Sequence, residues 1–210
     1  MQNRTDVINM ALQRCGAAGI NIAFQDTQEA AIATAAYDRC RKLMLAQHPW
    51  GFARKSQALA EDQDAPPFGY AHSFSLPGDC VLVIDVHPYA VDGEGTVVSS
   101  DMFRMPEATW EVAGRHVHSN FPLLALRYVS DEETGMPEAF ANALAWRLAF
   151  EIAPYLQQGT NLAQQFYQLY TQAVDEAKAS DDIQQEPERM PDWRGSRQIR
   201  EQFRSVEERW

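Results

Sequence analysis

Cysteine is scarce in this chain of 210 residues, and basic residues are outnumbered by acidic ones. Cys15, Cys40 and Cys80 are odd in number and widely spaced, which excludes a disulfide framework and a paired zinc-ligand motif. We expect buried, unreactive thiols. The 29 Asp and Glu residues against 18 Lys and Arg give a formal net charge of −11. A negative field repels phosphate, so tight, non-specific binding of nucleic acid through a basic surface is disfavoured.

Long apolar runs are also missing. No stretch of about eighteen apolar residues occurs, and the segment from Met1 to Asp6 lacks the apolar region of a signal peptide. We therefore expect a protein that does not enter a membrane and that works where it is made, in a cytoplasm. The glycine-rich phosphate loops, the serine-nucleophile elbow and the histidine-pair zinc motif are absent from the sequence too. The sequence predicts no catalytic residue, no metal ligand and no cofactor.

Three weak candidates for chemistry remain. A pair of strand histidines can share a metal ion although no third ligand is evident, a cysteine with a distant histidine can form a thiol nucleophile, and adjacent acids can mimic the carboxylates of a glycosidase. The residues concerned are His116 and His118, Cys40 or Cys80, and Glu132 with Glu133. In each case we favour the structural interpretation: strand histidines, buried thiols and acids on solvated loops.

Apolar residues recur with helical spacing near both ends of the chain. The pattern predicts helices from Thr5 to Cys15, from Thr27 to the stop at His48-Pro49, from Met136-Pro137-Glu138 through Leu156, and from Thr160 or Asn161 to about Ala179. Short amphipathic helices cannot bury their apolar faces alone. We therefore expect residues 1–50 and 131–180 to pack together as one antiparallel helical bundle.

Between these helices, residues 51–130 are rich in β-branched residues and turn formers. Candidate strands are Ala53 to Leu59, Tyr70 to Leu76, Cys80 to Val86, Thr96 to Ser99, Thr109 to Val112, His116 to Ser119 and Leu124 to Val129. Strands at this density predict a small sheet or sandwich inserted into the bundle. The predicted fold class is mainly α with a β-rich insertion, that is, α+β.

The last thirty residues, 181–210, have a different composition. Residues Asp181 to Asp192 are polar with two prolines, which predicts a linker. Beyond it an apolar stripe with arginines around it predicts an amphipathic arm; its candidate partner-binding residues are Trp193, Arg197, Ile199, Arg200, Phe203, Arg204, Val206 and Trp210. Such a stripe needs a partner surface. Either the arm folds back onto its own bundle or, as we favour, it docks on another subunit or protein.

An ordered corner is predicted where the second helix meets the first strand. Pro49 ends the helix, and Trp50 and Phe52 place two large aromatic side chains beside Gly51. We favour a core anchor at this corner over an exposed binding patch.

Several segments, taken in order, resemble the tail tubular protein A family. These are Leu43-Met44-Leu45-Ala46-Gln47-His48-Pro49-Trp50-Gly51-Phe52-Ala53, Phe74-Ser75-Leu76-Pro77-Gly78-Asp79-Cys80, Leu126-Arg127-Tyr128-Val129 and Phe140-Ala141-Asn142-Ala143-Leu144-Ala145. The family comprises the head-to-tail adaptors, or gatekeepers, of short-tailed bacteriophages and their prophages. The resemblance spans roughly residues 5–180, and it departs at Gly51, where relatives more often have a polar residue.

The resemblance implies a structural protein of the virion tail and not an enzyme. Adaptors of this family form a twelve-fold ring below the portal protein, extend the DNA channel, and carry the nozzle and fibre proteins of the distal tail. By this resemblance the helical bundle faces the portal and neighbouring copies, the arm grips the portal, and DNA passes without tight binding. The isolated chain is then expected to be mostly monomeric until the portal templates the ring.

Two other functions stay open from sequence. Some relatives are described as cleaving peptidoglycan, so a muramidase-like hydrolase is the main alternative. A bacterial cytoplasmic protein unrelated to phage is the weaker one.

Overall fold

The structure is a computed structural model that describes residues 2–16, 27–64, 66, 68–91, 97–98, 110–133, 135–156 and 160–185. Its helices are α1 (Arg4–Arg14), α2 (Gln28–Leu45), α3 (Glu138–Ile152) and α4 (Thr160–Gln185). Its strands are β1 (Arg54–Ala58), β2 (His72–Ser75), β3 (Cys80–Pro88), β4 (Ala90–Val91), β5 (Val97–Val98), β6 (Trp110–Ala113), β7 (His116–Ser119) and β8 (Leu124–Ser130). Short 3-10 helices follow α2 at Gly51–Ala53 and α3 at Ala153–Leu156.

Local sequence signals account for the helix ends. The side chain of Asn3 accepts a hydrogen bond from the backbone N–H of Asp6, and the Asp6 side chain accepts one from the N–H of Asn3. This capping box makes Asn3 the N-cap of α1, two residues before the predicted start at Thr5. Thr27 caps α2 as predicted, by accepting from the N–H of Ala30. Gly16 follows α1 with a φ of +75°, a conformation that glycine adopts without strain.

The four described helices form one bundle around α3. Helix α3 contacts α1, α2 and α4, and its residues Ala141, Ala145 and Ala149 are fully buried. These residues lie four apart on one face, and their small side chains allow neighbouring helices to approach closely. Arg14 of α1 fixes one such contact, because its guanidinium donates to the main chain and side chain of Asn142 and stacks on Trp146.

The strands form two three-stranded antiparallel sheets, in the orders β1-β8-β3 and β2-β7-β6, together with the two-stranded pair β4-β5. The observed strands lie within one or two residues of the predicted ones wherever both are described. Strands β6 and β7 form a hairpin that turns after Ala113, and Gly114 in the turn has a φ of +62°. The sequence predicts a strand around β5 but none at β4, Ala90–Val91.

The sheet β1-β8-β3 uses its two faces differently. On β8, Leu124, Leu126 and Tyr128 face the second sheet and form a sandwich core with residues such as Phe74 and Val117. Val129 points the other way and is buried in the core of the helical bundle. The described chain is therefore the predicted mainly α fold with a β-rich insertion, and one sheet of that insertion is packed on the helices.

The prediction that a linker begins at Asp181 is wrong. Helix α4 continues to Gln185, six residues beyond the expected end at Ala179. Asp181 is buried, because its carboxylate is bonded to the corner at the end of α2, as the next subsection describes. None of the described helices is long and apolar enough to cross a membrane.

Candidate functional site

The predicted arm residues, Trp193, Arg197, Ile199, Arg200, Phe203, Arg204, Val206 and Trp210, lie outside the residues that the structure describes. What is described is the end of the helix from which this segment continues, at Gln185. The candidate functional site therefore consists of two parts: the corner that holds the end of α4, and the segment 186–210 that follows.

The aromatic corner is a core anchor and not an exposed patch. Trp50 is 1% exposed, and its indole N–H donates to the carbonyl of Met44 at 2.9 Å. The Trp50 ring packs edge-on against the Phe140 ring at a centroid distance of 4.9 Å, and the Phe52 ring packs against the Phe140 ring at 4.8 Å. Helix α2 ends at Leu45, before the predicted stop at His48-Pro49. The carbonyl of Pro49 accepts a hydrogen bond from Arg54. The corner thus joins the end of α2 to the first turn of α3.

Asp181 ties the end of α4 to this corner. Both of its carboxylate oxygens lie 3.1 Å from the backbone nitrogen of Gly51, and one lies 3.1 Å from Nε2 of His48. The His48 side chain is 12% exposed and also lies 3.4 Å from the carboxylate of Asp182. Gly51 contributes only its main-chain N–H to this contact, so another residue at position 51 could make the same hydrogen bond.

Sequence reasoning missed Asp181, although a signal for it was present. Tyr170, Val174, Ala177 and Asp181 are spaced by four, three and four residues, which continues the buried stripe of α4. All four are buried in the structure. An aspartate at the next position of an apolar stripe indicates a buried carboxylate that needs hydrogen-bond partners. His48, shortly after the end of α2, is one of these partners in the structure.

A second carboxylate, Asp79, joins the three strands of the first sheet. It accepts hydrogen bonds from Ser130 Oγ at 2.7 Å, from Lys55 Nζ at 3.0 Å and from the hydroxyl of Tyr128 at 3.2 Å. These bonds, with Ser130 contributing most, lower the pKa of Asp79 below its ordinary value. The turn at Leu76-Pro77-Gly78-Asp79-Cys80, which carries part of the family resemblance, is thus a structural junction.

A third carboxylate, Asp62, holds a loop onto the second sheet. Ser75 and Ser73 donate their hydroxyls to it at 2.6 and 2.7 Å, and Nδ1 of His116 lies at 2.9 Å. The hydrogen bond from Ser75, followed by the others, lowers the pKa of Asp62 to about 2. This is not a catalytic triad, because both hydroxyls donate to the carboxylate and neither is bonded to the imidazole.

The histidine pair does not form a metal site in the described part of the chain. His116 is bonded to Asp62, whereas His118 lies against the ring of Tyr70 at a centroid distance of 6.3 Å. Among the described residues, no three His, Cys, Asp or Glu side chains are grouped so that they can hold a metal ion.

The thiols are equally poor nucleophiles. Cys40 is fully buried, and burial raises its pKa, with the charge of Glu151 adding to the effect. Burial also raises the pKa of Cys15 to about 11 and that of the half-buried Cys80 above its ordinary value. A reactive cysteine needs a lowered pKa, so these environments are of the opposite kind.

The acidic pair is engaged in ion pairs. Glu132 contacts Lys55, and Glu133 lies 3.6 Å from Arg4. Each carboxylate therefore faces a different basic partner on the surface of the fold, and no observation in the described residues assigns either one a glycosidase role.

No family model matches this chain, and a comparison with curated proteins finds no match either.

Proposed function

We propose that this chain is a structural head-to-tail adaptor of a short-tailed phage or prophage. Copies of it form a ring below the portal protein, twelve-fold as in the family it resembles. The ring extends the DNA channel and connects to the nozzle and fibre proteins of the distal tail. The protein works as a part of the virion and not as an enzyme.

One observation carries the proposal: the segments that resemble the adaptor family are the segments that join the fold. The Pro49-Trp50 corner connects α2, α3 and α4, and the turn at Asp79 connects β1, β3 and β8. Because each junction depends on its own set of distant partners, a resemblance at junctions supports the proposal more than a resemblance in composition would.

The bonding of the polar side chains supports a structural role. Asp62, Asp79 and Asp181 each accept hydrogen bonds from segments far away in sequence. A general acid or base must lie within hydrogen-bond reach of its substrate, whereas these carboxylates are bonded to other parts of the chain. A protein that must transmit load between two neighbours gains from such cross-links, because they couple its helices and its sheets.

The anchored end of α4 supports the proposed role of the arm. Since Asp181 fixes the last turns of α4 on the corner, segment 186–210 starts from a fixed point on the bundle. The apolar stripe Ile199, Phe203, Val206 and Trp210 can then dock on the portal as an amphipathic arm.

Electron microscopy of the chain mixed with its cognate portal tests the proposal. We expect a ring of adaptor copies on one face of the portal. If the images show only portal without added density when the adaptor is in large molar excess, the assignment is overturned.

Variants of the full chain test the arm separately. Phe203→Ser together with Trp210→Ser should abolish portal binding while circular dichroism and thermal melting remain unchanged. Glu201→Ser, opposite the apolar stripe at helical spacing, is the matched control and should bind as the unaltered chain does. Unchanged portal affinity of the double variant would remove the arm from the proposal but leave the ring.

A further inference from the structure

The sheet β1-β8-β3 extends beyond the bundle that covers it. Val129 near one end of β8 is buried among the helices. Two residues further along the same face, Arg127 is exposed, and Ala125 is half-buried. The helical layer therefore covers only one end of this face in the described part of the chain.

A hollow lies at the uncovered end of this face. Its volume is about 320 Å³, and its walls include Ser56 and Ala58 of β1, Ala125 of β8, and His87 and Tyr89 at the end of β3. Ala58 and His87 are both cross-strand partners of Ala125, so these three side chains share one face. The floor consists of two alanines, and the hollow exists because their side chains are small.

The hollow adjoins a strand edge that carries no described partner. Strand β1 pairs with β8 on one side and lies at the margin of its sheet. The N–H of Leu59 donates to the carbonyl of Leu124. Since hydrogen-bonding residues alternate along an antiparallel strand, the N–H and C=O groups of Ser56 and Ala58 point away from β8. Both residues are exposed.

We propose that the free edge of β1 and the hollow beside it form a docking site for an extended segment of a partner protein. The segment adds to the sheet as a fourth strand, with its backbone bonded to Ser56 and Ala58. One of its side chains enters the hollow between Ala58, Ala125 and Tyr89. This site lies on the β-rich part of the molecule, and the inference does not depend on the proposed adaptor function.

The walls determine the chemistry of the occupant. An open strand edge selects an extended backbone, because only that conformation presents its donors and acceptors at the right spacing. Among the described wall residues, His87 is the only one of the Asp, Glu, His, Lys and Arg types, and it is already bonded to Asp85 at 2.5 Å. The remaining wall residues are uncharged. The side chain that enters is therefore uncharged and large, that is, Leu, Met, Phe or Trp.

Selection from a display library of random dodecapeptides on the immobilised full chain tests the proposal. Enriched peptides, synthesised and labelled, should share one large apolar residue and bind with an affinity measurable by fluorescence anisotropy. Ala58→Trp, which fills the hollow, and Ser56→Pro, which removes an edge donor without breaking a bond to β8, should each weaken binding at least tenfold.

Ala113→Trp is the matched control. It places the same large side chain on β6, an exposed edge of the other sheet, and should leave peptide binding unchanged. Methylation of alternate peptide nitrogens should abolish binding if the backbone pairs with β1. The proposal fails if no peptide is enriched over an unrelated protein, or if the enriched peptides bind Ala58→Trp and Ser56→Pro as tightly as the unaltered chain.

Discussion

At the scale of single residues, carboxylates join parts of this fold that are distant in sequence. Asp181 connects α4 to the corner after α2, Asp79 connects the turn before β3 to β1 and β8, and Asp62 connects a loop to β2 and β7. Each uses both oxygens or several donors. A carboxylate suits this work because hydrogen bonds to a charged acceptor are stronger than neutral ones.

Replacing Asp181 with alanine should destabilise the chain by about 2 kcal/mol, since the N–H of Gly51 loses a charged acceptor at a buried site. Asp182→Ala is the matched control: its side chain is 67% exposed, and we expect a change of less than 0.5 kcal/mol, about the limit for a surface site. Urea unfolding followed by circular dichroism measures both. Equal free energies of unfolding for the two variants would contradict the anchoring role of Asp181.

Asp62 should make stability depend on pH in the acidic range. Its folded pKa of about 2 lies below the ordinary value of 3.8, so the charged form stabilises the fold above about pH 4. This contribution is lost as the pH falls through 2. Asp62→Asn should therefore be less stable than the unaltered chain at pH 7, by about 1 to 2 kcal/mol.

The difference between the two proteins should shrink as the pH is lowered from 4 to 2, in urea titrations at fixed pH. Asp64→Asn, on an exposed position of the same loop, should follow the unaltered chain at every pH. A difference for Asp62→Asn that stays constant down to pH 2 would show that the carboxylate charge contributes nothing.

At the scale of elements, periodicity predicted helices and strands well but their ends less well. The apolar stripe of α4 predicts a helix to about Ala179, where the composition becomes polar, although the helix continues to Gln185. The extra turns are held by Asp181, whose partner His48 is 133 positions away. A contact over that separation leaves almost no trace in local composition, which explains why a linker was predicted there.

The strands show the same division between local and distant information. Alternation and turn residues placed β7 at His116–Ser119 and most of β8 correctly. They did not indicate that β8 pairs with both β1 and β3, or that the strands divide into two sheets. Pairing depends on which apolar faces meet after collapse, and several pairings satisfy the same alternation.

Truncation tests the corrected end of α4. A chain that ends at Ala179 loses Asp181 and should melt at a clearly lower temperature, with about 2 kcal/mol or more lost from the free energy of unfolding. A chain that ends at Glu186 retains the helix as observed and should melt with the full-length protein. Identical melting of both truncated chains would mean that the turns beyond Ala179 contribute no stability.

For the whole molecule, ring assembly templated by the portal requires that the proposed adaptor remain monomeric until it binds the portal. Exposed apolar side chains on the described surface are distributed over several segments, with Phe68 in a loop, Trp110 and Val112 on β6, Tyr155 in the second 3-10 helix and Ile183 on α4. Scattered residues of this kind do not by themselves form an interface. We expect light scattering of the isolated chain to give the mass of a monomer, 23.7 kDa. A stable ring without portal would contradict assembly templated by the portal.

In the proposed ring, the net charge of −11 would keep DNA from binding to the channel wall. Residues 186–210 contain six acidic residues and six arginines, so the whole surplus of negative charge belongs to residues 1–185. A channel wall built from that body repels the phosphates of DNA, and DNA can move along it without being held. We expect neither the isolated chain nor the portal-bound ring to retain double-stranded DNA in a gel-shift assay at about 0.1 M salt, an ionic strength at which the Debye length is about 10 Å.

Retention by the ring, with a logarithm of affinity that falls linearly with the logarithm of salt concentration, would mean that assembly turns basic side chains toward the channel. The wall would then bind DNA through counterion release, and the acidic surplus would have to lie on the outer surface of the ring.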